Sequence, residues 1–290
     1  MSDEAVTARP AGLLPLAGAV TLALALSACD RTSAPEPAPT PVVAAPAAPA
    51  ADPVLDRAAI LTAIDAAASD AAAGRGAPTG TDPLADRRFR LRIAFGCQGP
   101  TPVPPEGADD TGAPRWSRSG DERTVRLRFT PADWTAGGPA GPAVQGFESV
   151  GGVWINQPWI RTADCPAAAS GAAGTPGTGA PGTGAPAFTA APTVGLALLR
   201  AEGASRLGRD DSRAFTYTVR GEGDAPAPDP VKGYRLVLEG RLTPWAGGRV
   251  IRCAVTRAEA RPTCVAGVII DHLAYEDGVT GETLGEWRPG

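Results

Sequence analysis

The 290-residue chain has one histidine, His272, one lysine, Lys232, and one methionine, Met1. A single histidine leaves no material for a multi-histidine metal site. Any Ser-His-Asp triad would have to use His272, which follows Asp271 at the end of an apolar run and reads as a surface or turn residue. No two cysteines stand in C-x-x-C spacing, which argues against zinc. G-x-S-x-G, H-E-x-x-H, S-x-x-K, a P-loop and a dinucleotide fingerprint are all missing, so no cofactor or metal is implied. A formal net charge of −4 excludes a general nucleic-acid binder, which would be strongly basic. Long apolar runs are also scarce. The one substantial run, Ala11 to Ala28, is uncharged and rich in Leu and Ala, but it is short of a membrane span and closes on small residues, as a secretory signal does.

That run ends in Leu26-Ser27-Ala28-Cys29. The motif resembles the lipobox of bacterial lipoproteins, and residues 1–28 then correspond to their signal peptide. The resemblance implies that Cys29 carries a diacylglyceryl group, that cleavage falls just before it, and that the protein is held to the cell envelope, facing the periplasm, without spanning a membrane. Two or three acyl chains anchor firmly where one binds only marginally, since each buried methylene is worth about 0.8 kcal/mol. Asp30 resembles the inner-membrane retention signal of enterobacterial lipoproteins, a rule confined to that group; inner and outer membrane both stay open.

Residues 29–51, including "RTSAPEPAPTPVVAAPAAPA", hold six prolines and little that can enter a core. Such a segment favours polyproline II at about 3.1 Å per residue and reads as a stalk reaching roughly 60 to 70 Å. From residue 52 to 290 the pattern is that of a single β-rich domain. A helix is predicted first: Asp52 as cap, Pro53 in the first turn, an apolar stripe of Leu55, Ala58, Leu61 and Ile64 or Ala68, and Gly74 as the stop.

The period then changes to two. In "RRFRLRIAFGC", Phe89, Leu91, Ile93, Phe95 and Cys97 alternate with Arg88, Arg90 and Arg92; in "RTVRLRFT", Val125, Leu127 and Phe129 alternate with Arg126 and Arg128. Six further strand-like runs follow, at "GGVWINQPW", "TVGLALLRAEG", "AFTYTVR", "YRLVLEGRL", "RVIRCAVT" and "TCVAGVIID". Eight such runs joined by Gly/Pro turns predict a mainly β fold: an antiparallel sheet, sandwich or partly closed barrel with one N-terminal helix. Residues 166–192 collapse to Ala, Gly, Thr and Pro and read as a disordered insertion.

Apart from Cys29, the cysteines are Cys97, Cys165, Cys253 and Cys264, an even set that in an exported protein reads as two disulfides with three connectivities. Cys253 and Cys264 lie on consecutive strand-like runs that a hairpin would bring together, leaving Cys97 for Cys165.

Candidate chemistry is sparse. The acid pairs Asp109-Asp110, Asp210-Asp211 and Glu276-Asp277 would serve a carboxylate-dependent hydrolase of envelope polymers, although none has calcium-loop spacing and acid-glycine clusters are ordinary in turns. Trp154 and Trp159 in "VWINQPWI" suit sugar stacking or the rim of a β core. The reading preferred here is a non-enzymatic binding or structural module. Arg88, Arg90, Arg92, Arg126 and Arg128 all point away from the apolar faces of their strands, and Arg220, Arg235 and Arg241 share that parity. On one sheet they would form a basic face, relieved mainly by Glu239, able to hold an anionic lipid or cell-wall polymer, or to meet another envelope protein.

Overall fold

The computed structural model describes residues 52–75, 80–101, 112–139, 141–142, 146–166, 192–204, 207 and 214–289. Cys29, the stalk, Asp109, Asp110, Asp210, Asp211 and all but the two ends of the 166–192 insertion lie outside them. No helix among the described residues is long and apolar enough to cross a membrane.

The helix α1 spans Arg57–Ala72. Asp56, not Asp52, is its cap, with the carboxylate accepting the Ala59 N–H at 2.8 Å. The reason is tertiary. Leu55 is drawn into a parallel bridge with Phe89, which keeps residues 53–55 extended and leaves Pro53 outside the helix. Ile60, Leu61, Ile64 and Ala68 form the buried face.

The described strands are β1 Arg88–Phe95, β2 Arg115–Arg118, β3 Thr124–Phe129, β4 Ala132–Asp133, β5 Gly137–Gly138, β6 Gly141–Pro142, β7 Ser149–Trp154, β8 Val194–Arg200, β9 Phe215–Arg220, β10 Tyr234–Leu242, β11 Ile251–Ala254, β12 Thr263–Asp277 and β13 Thr283–Trp287. All eight predicted strands are present. The large sheet runs β1-β10-β12-β8-β7-β4, with β11 and β13 also paired to β12. The small sheet is β2-β3-β9, and β5 and β6 form a separate short ribbon.

Pairing is antiparallel except between β8 and β12, which run parallel; the large sheet is therefore mixed. The 15-residue β12 makes this arrangement workable: its first half pairs with β11 and β8, and its second half with β10 and β13.

The two sheets face each other as a sandwich and do not close into a barrel. Phe89, Leu91, Ile93 and Phe95 of β1, Leu236 and Leu238 of β10, and Leu273 and Tyr275 of β12 share one core with Trp116, Val125, Leu127 and Phe129 of the small sheet and with the helix stripe. Period-two alternation is what sends these side chains inward and the intervening arginines out. Aromatic contacts tie the layers, including Trp116 to Tyr234 at 6.1 Å and Phe215 to Trp287 at 5.5 Å between centroids. Burial and the neighbouring Asp277 charge push the Tyr234 phenol up to about 12. At Gly96, with φ +71°, a Cβ would stand 2.1 Å from Trp116 Nε1, so glycine is required where β1 turns away.

Disulfides join Cys97 to Cys165 and Cys253 to Cys264. The second links directly opposed residues of β11 and β12, as the hairpin reading expects.

Candidate functional site

The five candidate arginines are divided between the two sheets. Arg88, Arg90 and Arg92 lie on β1, whereas Arg126 and Arg128 lie on β3. The single basic face imagined from the sequence is therefore two faces, and they differ in what surrounds them.

On the large sheet, register places acids beside the arginines. Arg90 stands opposite Glu239, and β10 carries the alternation on to His272 and Glu276 of β12. Glu276 is only 3% exposed and is held by two guanidinium groups: Arg90 Nη2 at 2.9 Å, and Arg92 through Nε at 2.9 Å and Nη2 at 3.3 Å. Arg90 also reaches Glu239 at 3.0 Å.

His272 sits in mid-strand, buried, with Nδ1 3.1 Å from Glu239 and Nε2 2.9 Å from Glu286. This corrects its reading as a surface or turn residue: the strand continues to Asp277, past the point where "TCVAGVIID" ends. Arg288 closes the chain on Glu286 at 3.2 Å. The hydrogen bond to His272, with the Arg288 charge behind it, holds the Glu286 carboxyl below its usual range. A connected chain of ion pairs and hydrogen bonds therefore crosses β1, β12, β10 and β13, from Arg92 through Glu276, Arg90, Glu239, His272 and Glu286 to Arg288, just past the end of β13. Arg88, opposite Arg241 at the other end of β1, stands outside this chain.

On the small sheet the outward residues are Arg115 and Ser117 from β2, Thr124, Arg126 and Arg128 from β3, and Thr216, Thr218 and Arg220 from β9. None of these is a carboxylate. Arg126, Arg128, Thr216 and Arg220 are exposed. Arg128 makes one long contact, 3.4 Å to Thr130 Oγ1. Arg115 is engaged by a contact of its own.

Of the acid pairs, only Glu276-Asp277 is described. The two do not act as a facing pair, since neighbours on a strand point to opposite faces. Glu276 is enclosed by arginines, and Asp277 Oδ1 accepts the Val279 and Thr280 N–H groups at 2.8 Å each. Burial raises the Asp277 carboxyl, and these turn hydrogen bonds outweigh that and leave it lowered.

Trp154 packs edge-on against Trp134 at 4.9 Å in a second, smaller core with Val150, Leu199 and Trp245. Trp159 is 70% exposed. Its loop is pinned by Arg57, a buried guanidinium that donates to the carbonyls of Ile160 at 3.0 Å and of Asn156, Gln157 and Arg92 at 3.4 Å. Desolvation, and then the Arg161 charge, lower the Arg57 pKa. Arg57 escapes a reading by period because a helix stripe ordinarily excludes arginine. The hydroxyls beside Arg126 and Arg128 escape it because the register between distant strands is not written in either strand alone.

No protein-family profile, curated protein or solved structure matches this chain.

Proposed function

We propose that this is a lipid-anchored protein of the bacterial cell envelope whose folded body is a non-enzymatic binding module facing the periplasm. The lipobox-like Leu26-Ser27-Ala28-Cys29 supports the anchor, and the two disulfides formed by the remaining four cysteines support an oxidising compartment. The observation that carries the binding role is the outer face of the small sheet: exposed arginines set among hydroxyls, with no acid on the same strands. The acids of the described pair, by contrast, are spent on arginines and on a turn. The stalk would hold this face away from the bilayer.

The anchor is tested by labelling cells with radioactive palmitate and fractionating them. Wild-type protein should take up label and sediment with membranes, and Cys29→Ala should do neither. Unchanged labelling and sedimentation of Cys29→Ala would overturn the anchoring.

A further inference from the structure

Resting on the reading of the body as a binding module, we infer that Arg128, Arg126 and Arg220 form a track for an extended anionic polymer, a glycan chain bearing carboxylates or phosphates. The argument is the spacing. Arg126 and Arg128 are two residues apart on β3, so their Cα atoms lie about 7 Å apart along the strand. Arg220 stands opposite Thr124, one strand across and two residues back, about 8 Å from Arg126. The three cations therefore run obliquely over the sheet for about 14 Å.

Each has a hydroxyl beside it in register: Ser117 and Thr218 flank Arg126, Thr216 is opposite Arg128, and Thr124 is opposite Arg220. A guanidinium grips a carboxylate or phosphate with two parallel hydrogen bonds. A neighbouring hydroxyl can both donate to and accept from the sugar hydroxyls between the charges. A repeating anion suits this row better than a single ion, because each further charge binds at high effective concentration once the first is held.

A lipid surface suits it less. Among the described residues the exposed large apolar side chains, Val54, Trp159, Val231, Val255 and Val279, all lie off these three strands, which offer none to insert below the headgroups.

The test is fluorescence anisotropy of labelled polygalacturonate with the intact protein in a neutral detergent. The polymer should bind, and monomeric galacturonic acid should compete about a hundredfold more weakly or worse. Arg126→Ser/Arg128→Ser should cost about tenfold or more in affinity, and Arg220→Ser should lower the slope of log affinity against log salt by about one. Arg88→Ser/Arg241→Ser removes two charges from the large sheet and should change affinity less than about twofold. Equal losses from the two double variants would reduce the effect to net charge and overturn the track. Competition by phosphatidylglycerol in mixed micelles, matching the polymer charge for charge, would assign the face to lipid headgroups. Absence of polymer binding defeats the track and leaves the anchored, non-enzymatic reading intact. Binding followed by shortening of the polymer defeats the non-enzymatic reading and keeps the track.

Discussion

The outer faces of the two sheets begin from nearly the same phrase, RFRLRIAF on β1 and TVRLRF on β3, and reach opposite electrostatic ends. On β1, Arg90 and Arg92 are absorbed by Glu276 and Glu239, and the polar contacts continue through His272 and Glu286 to Arg288. On β3, Arg126 and Arg128 meet Ser117, Thr216, Thr218 and another arginine, Arg115. The difference lies in the neighbouring strands. An Arg-x-Arg alternation specifies which way the side chains point, and only the paired strand decides whether they are neutralised or left open. The large sheet also carries both disulfides, at the end of β1 and across β11 and β12, while none is attached to a strand of the small sheet.

The largest expected effect probes that covalent asymmetry. Cys97→Ser/Cys165→Ser opens a loop of sequence separation 68 and should destabilise the protein by about 4 kcal/mol in urea unfolding, on chain-entropy grounds. A loss below about 1 kcal/mol would show that the large sheet does not depend on this tie.

Next is the contrast in charge. Glu276→Gln leaves two guanidinium groups without their shared carboxylate. Because Arg90 and Arg92 are themselves 44% and 38% exposed, the cost should be about 2 kcal/mol, below that of a fully buried pair. Arg126→Ser should stay within about 0.5 kcal/mol. Similar losses from the two variants in parallel unfolding curves would break the distinction between the faces.

The smallest effect is in acid. Glu286 and Asp277 titrate below their usual values in the folded protein, so unfolding takes up protons on acidification. Their contribution is complete above the ordinary carboxylate value and is lost as pH falls through the lowered folded values. The urea midpoint should therefore hold from pH 7 to about 5 and decline below about 4. An NMR titration over that acid range should move the amide signals of β13 while those of Arg126 to Phe129 in β3, beyond the Asp121 turn whose lowered carboxyl reaches Thr124 through Ser119, stay in place. Movement of both, or of β3 alone, would count against the difference.

Much of the fold could be read from local pattern: β1 and β3 alternate cleanly, and the other six predicted strands stand out as apolar or β-branched runs between Gly/Pro turns. The strands that escaped are β2, RWSR, and β13, TLGEW, together with the two-residue β4, β5 and β6, all too short or too mixed to show a period. Asp52 looked like a cap because Pro53 follows it, and the bridge from Leu55 to Phe89 decided otherwise. The candidate site was legible only in part. The outward parity of the arginines was visible in the strands, but the Glu276 that neutralises Arg90 lies 186 residues away, beyond any local rule.

The first residues of the described body suggest how it bears load. Arg87 Nη2 donates to the Pro53 carbonyl at 3.0 Å, Leu55 exchanges two 2.9 Å hydrogen bonds with Arg88 and Arg90, and Arg57 reaches the Arg92 carbonyl. Successive odd-numbered residues are thus clasped along the edge of β1, with the incoming chain running parallel to that strand. A pull on residue 52 along the axis of the extended residues 53–55 would strain these clasps together in shear instead of peeling them away one at a time. The far end of β1 leads to Cys97 and its bond to Cys165, which would stop the strand from sliding out with the pull. The attachment point would then be a mechanical joint, able to hold the arginine track in position while the envelope around it moves.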